Sequence, residues 1–482
     1  MLNLIVATST TTDWPQWGRT PTFHSFSSVT TAPASPRPAE WSFNAGDRVV
    51  GSPAVVGERV WFGDDDGYMR CVNRTDGAVL WYFRVTGGEP RCTGTQCEHG
   101  QCKCSKVRSS PAVDVRGDNL SVVFGSYDFA VYKLDKLGKL VWRTETGGAI
   151  FGPPSIDPTS GDVYIGSFDG FLYKLDAASG AIKYKVELNA HGDSGWAIGA
   201  TGSAAEGLIL GVSNEGGLCT SWPPPDDPTP TPSPGGGHCF AMAIDAASGD
   251  LKWKTRTGAP GGGGMLDATG ASFIAGTWNK NLTSYDVKTG AVKWSRYLFG
   301  EIQSHPALGG KDGDTVFAST EESHTLWALD AATGATKWRY SEAGEINSSP
   351  SVTADAVYVG EEQQRFCIFH FILRLLLLLW YVLGGSYEYV LTYLLLHVNR
   401  YVGSNDKFLY AVDVETGKLR WKKKTCANVY ASAAISDDGM LYTTCNTGTG
   451  STLGKGKGVV YAIDPAKQQP DLGILAQLAQ SN

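Results

Sequence analysis

A short motif returns along this chain at a near-constant spacing: an Asp or Asn, three residues, a Gly, three residues, then a Trp. It reads Asp176, Gly180, Tyr184; Asp245, Gly249, Trp253; Asp286, Gly290, Trp294; Asp330, Gly334, Trp338; and Asp413, Gly417, Trp421. Looser copies are Asn73, Gly77, Trp81 and Asp135, Gly138, Trp142, and an eighth copy is divided between the two ends of the chain. The closing aromatics stand at 41, 81, 142, 184, 253, 294, 338 and 421, with four intervals of 40 to 44 and three longer ones of 61, 69 and 83. Such a period marks stacked units that cannot bury their apolar faces alone.

Within a unit the local signals keep one order. Ser-Ser-Pro111-Ala-Val and Gly51-Ser-Pro53-Ala-Val open a strand, and Val163-Tyr-Ile-Gly166 makes a second. Asp169-Gly170 turns the chain into Phe171-Leu-Tyr-Lys-Leu. Asp-Gly between short alternating runs is a hairpin signal because both turn residues take positive φ. The Asp-x-x-Ser/Thr-Gly stretch turns again into a fourth strand ending near the Trp. Four short strands per unit, eight times over, predict an all-β, eight-bladed β-propeller of four-stranded antiparallel blades. Trp41 lacks its own turn, and Val460-Tyr-Ala-Ile-Asp464 lacks a following Trp, so joining the ends closes the eighth blade and leaves no open edge between first and last. The Trp side chains are expected to pack between blades.

These stretches resemble the pyrroloquinoline-quinone-like (PQQ-like) repeat of the quinoprotein alcohol dehydrogenase-like superfamily. The carriers are Ser-Pro-Ala-Val, the run from Val163 to Gly180 and the closing Trp, over about residues 41 to 465. Asp13-Trp-Pro-Gln-Trp17-Gly resembles the segment preceding the first blade in secreted members. The Gly-His, Trp-Asp and Gly-Gly signatures of WD-repeat and kelch propellers are absent. The resemblance implies one of two functions: a PQQ- and calcium-dependent alcohol or sugar dehydrogenase, or a non-catalytic binding platform such as the propeller lipoproteins of outer-membrane assembly. The repeat alone does not choose, since a fold hosts many functions.

Domain organisation follows: a lead segment at 1–40, the propeller at 41–465 and a tail at 466–482. The three long intervals mark insertions. The first, 88–106, holds Cys92, Cys97, Cys102, Cys104 and His99; its spacing lacks paired Cys-x-x-Cys knuckles and favours a disulfide-tied loop over zinc. The second, 219–239, is Pro- and Gly-rich, with Cys219 and Cys239 at its base; Cys426 and Cys445 are a further candidate pair. The third, 361–403, contains Phe371-Ile-Leu-Arg-Leu-Leu-Leu-Leu-Leu-Trp380 inside a hairpin; removing it restores a spacing of 40. A membrane span there would put two strands of one hairpin on opposite sides of a bilayer, so translated intron is the expectation.

The cysteines and the sequons at Asn73, Asn119, Asn281 and Asn347 suit an extracellular or secretory compartment. A net charge of −7 argues against nucleic acid. A monomer without a genuine membrane span, engaging a protein or glycan if non-catalytic, is expected.

Ligands of propellers sit at the axial channel. Aligning the units places one variable residue per blade before the Ser-Pro turn: Val50, Arg108, Phe151, Ala197 or Ile198, Asp267, Gln303, Asn347 and Tyr430. Arg108 suits an anionic ligand. Asp267, Gln303 and Asn347 offer the hard oxygens calcium prefers, with Asp267 also the candidate general base. Phe151, Tyr430 and the nearby Trp196 offer flat surfaces for a planar quinone. Against the catalytic reading, no adjacent Cys pair and no Cys-x-x-Cys-His haem site occur. Asp64-Asp65-Asp66-Gly67 falls at a hairpin turn and reads as structural. His305 replaces a motif Ser and reads as a packed variant.

Overall fold

The computed structural model describes residues 14–16, 18–20, 27, 38–86, 103–117, 120–188, 194–215, 238–258, 260–341, 346–360, 407–426, 429, 431–447 and 457–468. They form eight four-stranded antiparallel sheets, at 54–84, 112–145, 155–187, 197–257, 260–297, 307–340, 351–424 and 434–463, here blades 1 to 8. The chain is an eight-bladed β-propeller. Its last blade takes its outer strand from the other end of the chain, with Trp41 opposite Ala462 and Asn44 opposite Val459. The first strands of neighbouring blades touch one another around the axis, and the fourth strands form the outer wall.

The repeat motif explains the seams between blades. Closing indoles donate their N–H to a backbone carbonyl in the next blade's turn: Trp41 to Arg74 at 2.8 Å, Trp142 to Ala177 at 3.2 Å, Trp253 to Val287 at 2.8 Å, Trp294 to Ala331 at 3.0 Å. Where Tyr184 replaces Trp, its hydroxyl donates to Ala246 at 3.0 Å. The ring lies against the motif Gly of that blade. Gly334 has φ 69°, and a Cβ there would lie 2.6 Å from Trp294, so both backbone and space require glycine. The motif Asp caps the same turn: Asp286 accepts from Thr289 N at 3.0 Å and Thr289 Oγ1 at 2.8 Å.

The Ser-Ser-Pro signal builds a second, inner seam. Ser110 Oγ accepts Ser52 N, Ser349 Oγ accepts His305 N at 3.0 Å, and Ser52 Oγ accepts Ser432 N at 2.9 Å. These hydroxyls satisfy buried amides of the neighbouring blade, which otherwise cost free energy.

Most of the insertions' residues lie outside the described ones, as do their length boundaries at 88, 219 and 361–403. Their roots are described. Cys426 and Cys445 form a disulfide with Cα atoms 5.9 Å apart, and Cys104 and Cys239 are also disulfide-bonded. Val357–Val412 and Gly360–Leu409 pair in register across the third insertion. Among the described residues no helix is long and apolar enough to cross a membrane.

Candidate functional site at the propeller axis

Strand register decides which residues face the channel mouth. Val50, Arg108, Phe151, Gln303 and Asn347 each stand four residues before the first strand of their blade. Tyr430 lies outside the described residues.

Asp267 is not in this ring. Gly264, Met265 and Leu266 pair with Ala275, Ile274 and Phe273, so the ring position of blade 5 falls at Gly261, beside Ile302 and Gln303 of blade 6. Asp267 lies at the far end of that strand, in the turn to the second. There its carboxylate accepts from Thr269 N at 3.0 Å, Thr269 Oγ1 at 2.8 Å and Ala271 N at 2.9 Å. Ala197 and Ile198 form the inner strand of blade 4 itself, and Trp196 is fully buried over Gly211. Sequence alignment slipped in these two blades because neither carries the Ser-Pro punctuation; the strand pairing alone restores the register.

The ring residues are largely engaged with protein. Arg108 holds Asp65 through two 2.8 Å hydrogen bonds, and Arg48 binds the same carboxylate at 2.9 Å. Burial raises the Asp65 pKa, but the Arg108 hydrogen bond and the charges of Arg108, Arg48 and Lys106 outweigh it and hold the carboxyl below its ordinary value. Arg108 also lies 5.4 Å from the Tyr127 ring, which meets Phe151 edge-on. Asp64, in the same turn as Asp65, is pushed up to about 6 by burial although Arg70 binds it. Gly67, at φ 86°, closes this turn on the Asp64 carbonyl, so the acidic run is a hairpin turn.

Across the channel mouth, Gln303 donates its amide to Glu321. Burial and the neighbouring Glu322 and Glu321 raise the pKa of Glu301 beside it. Two residues on, His305 is buried against Gly263, where a Cβ would lie 2.3 Å from the imidazole, and burial lowers its pKa to about 3. It is a packed, neutral histidine. Among the described residues no three His, Cys, Asp or Glu side chains converge as a metal-ligand group. The proposed calcium set of Asp267, Gln303 and Asn347 is divided between opposite ends of its blades, so these residues do not fit that ion.

The segment containing Trp14 and Pro15, whose sequence marks it as preceding the first blade, reaches the inner strand edges. Trp14 exchanges two 2.8 Å backbone hydrogen bonds with Val55, on the edge of the blade 1 inner strand turned to the axis. The Pro15 carbonyl accepts Val113 N of blade 2 at 2.7 Å, and Ser27 N donates to Val352 of blade 7 at 2.8 Å. Trp14 is 1 % exposed and packs with Val49, Val55 and Ala434. The lead segment thus pairs with the free inner edges of three blades.

Repeat, seams and closure define a PQQ-like-repeat propeller. The family model described as outer membrane protein assembly factor BamB matches residues 28–219 and 241–370, and the chain belongs to that family. Two curated relatives are similar to it. Outer membrane protein assembly factor BamB of Yersinia pestis is 22% identical over 293 residues, covering 57% of this chain and 65% of the relative. That of Burkholderia pseudomallei (strain K96243) is 22% identical over 296 residues, covering 58% and 64%. The match thus spans slightly less than two thirds of either relative's length. Among solved structures, a europium-containing methanol dehydrogenase superposes with a TM-score of 0.63 at 13% identity, covering 94% of this chain and 98% of that one. At that identity the likeness speaks for the fold alone.

Proposed function

We propose that this chain is a non-catalytic binding propeller, a scaffold that engages a protein partner during the assembly of other polypeptides in the secretory pathway or cell envelope. The observation that carries this reading is the lead segment on the axis. Trp14, Pro15 and Ser27 take up inner-strand hydrogen-bonding groups of blades 1, 2 and 7, at the end of those strands away from the ring of Arg108 and Gln303, so channel-lining backbone groups are paired there with the chain itself. Two further features support it. The guanidinium of Arg108 is consumed by Asp65, and the carboxylate of Asp267 is consumed by its own turn. The curated relatives are named as outer membrane protein assembly factors, which supplies the partner class. The disulfide between Cys426 and Cys445 supports the oxidising compartment.

The test has two arms on the intact protein. Pyrroloquinoline quinone with calcium should give no saturable quenching of tryptophan fluorescence, and a labelled unfolded β-barrel polypeptide should bind with a saturable rise in anisotropy. Calcium-dependent quenching together with alcohol-dependent dye reduction would restore the dehydrogenase reading, and a flat anisotropy trace would retire the assembly reading.

A further inference from the structure

Among the described residues no further strand pairs with the outer strands of the blades, and such an edge templates pairing with another strand unless charge or twist prevents it. In this propeller the guard is a basic residue immediately before the closing aromatic. Lys183 binds Asp162 at 2.7 Å, Lys252 binds Asp245 at 2.9 Å, Lys337 binds Asp314 at 2.9 Å and Arg420 binds Asp355 at 2.7 Å. Lys293 reaches Ser272 at 2.7 Å. A second basic residue follows the aromatic in several blades, as Arg143, Lys185, Lys254, Arg339 and Lys422.

Blades 1 and 2 carry an apolar residue in place of the first guard, and blade 1 lacks both basic residues. Leu80 and Val141 stand where blades 3 to 7 carry Lys or Arg and blade 8 carries Glu40, and Tyr82 replaces the second basic residue. The outer strand Val79–Arg84 reads Val-Leu-Trp-Tyr-Phe-Arg, an uninterrupted apolar run of high β-propensity up to its last residue. Among the described residues, six of the thirteen exposed large hydrophobics fall on these two adjacent blades: Val79, Leu80, Tyr82, Leu137, Leu140 and Val141. The two walls meet at Trp81, which donates to the carbonyl of Lys136, the neighbour of Leu137.

We infer that this wall is an interface between two copies of the chain, paired antiparallel along Val79–Arg84. Self-complementarity favours a second copy over another occupant. An isologous contact needs a patch that matches itself, and an apolar strand with no internal charge meets its own copy without like-charge repulsion. Antiparallel pairing also brings the Arg84 end of one strand toward the exposed Asp76 end of its partner. The contact would join two four-stranded blades into one eight-stranded sheet and cover the apolar side chains of blade 2.

Sedimentation velocity on the intact protein at micromolar concentration tests this directly. A dimer is expected, with Leu80→Lys and Tyr82→Lys each weakening it by roughly tenfold or more, and Val141→Lys acting in the same direction. These substitutions place the residue that other blades already carry, so the fold should persist, which a thermal melt checks. Val292→Lys, on the wall of blade 5, should leave the dimer intact. A monomeric unsubstituted protein overturns the inference, whether its wall is bare or covered by another segment of the same chain. A dimer indifferent to Leu80→Lys and Tyr82→Lys overturns it equally.

Discussion

The indole N–H of Trp338 donates to the carbonyl of Val414 at 3.0 Å across 76 residues of chain, whereas Trp294 makes the same contact with Ala331 across 37. The extra length enters and leaves blade 7 between two strands that pair residue for residue, Gly360 opposite Leu409. The seam between blades 6 and 7 therefore has the same form with the insertion as its neighbours have without one. Its downstream turn position, Lys407, takes φ 56°, as Gly170 takes φ 88° in blade 3. Deleting residues 361–403 should leave a cooperative melt with a midpoint no lower than that of the full chain, since long loop closures cost entropy without adding seams. A collapse of near-ultraviolet circular dichroism in the deletion variant would show that the segment belongs to the fold. Transcript reads joining the codons of Gly360 and Ser404 would show that it is intronic.

Trp294 and Gly334 should behave as one unit. Trp294→Phe removes the hydrogen bond to Ala331 and should cost about 1–2 kcal/mol. Trp294→Ala adds a cavity and should cost about 3–5 kcal/mol. Gly334→Ala puts a Cβ 2.6 Å from the indole at φ 69° and should be destabilising by about 2 kcal/mol or more. In the Trp294→Ala background the clash disappears, so the Gly334→Ala penalty should shrink toward its backbone part. Urea midpoints of the four proteins measure this coupling.

Arg108→Ala leaves the carboxylate of Asp65, 2% exposed, with Arg48 as its remaining ion-pair partner. A broken buried pair should cost about 3 kcal/mol, and Asp65→Asn in addition should recover part of it by removing the uncompensated charge. Equal losses in the single and double variants would mean that the packing of Arg108 on Tyr127, not its charge, matters.

His305 should make the propeller acid-sensitive. Burial holds its folded pKa near 3, below the unfolded value of about 6.5. Between those values the unfolded chain binds the proton and the folded chain does not. The histidine's contribution to stability is therefore complete above about pH 6.5 and is lost as pH falls toward 3. Between about pH 7 and 5 the protein should lose about 2 kcal/mol more than His305→Ser. Parallel pH profiles for the two proteins would remove this role from His305.

The eight blades and their closure were legible because their determinants are local and repeated. A turn glycine, a capping Asp and a Trp at fixed spacing each carry their own physical reason, and the pairing of Trp41 with Ala462 follows from two half-units that each lack the other. The disulfide between Cys426 and Cys445 was also within reach, since both fall in one blade. The ring at the channel mouth was only partly legible. Arg108, Phe151, Gln303 and Asn347 each stand four residues before the first strand of their blade, a register marked by the Pro three residues on. Asp267 and Trp196 were misplaced where Gly261–Gly264 and Gly195 stand in its stead.

The sequence by itself determined the class of fold, the number of blades and the seams, because short-range turns and a periodic apolar pattern encode them. Tertiary structure alone decided what the channel holds and which charges are free. Asp65 and Arg108 are 43 residues apart in sequence, and Trp14 and Val55 belong to segments with no shared pattern. Such pairs are selected by closure of the ring, which brings one blade's turn over the next and leaves the inner strand edges to be satisfied by whatever chain reaches them.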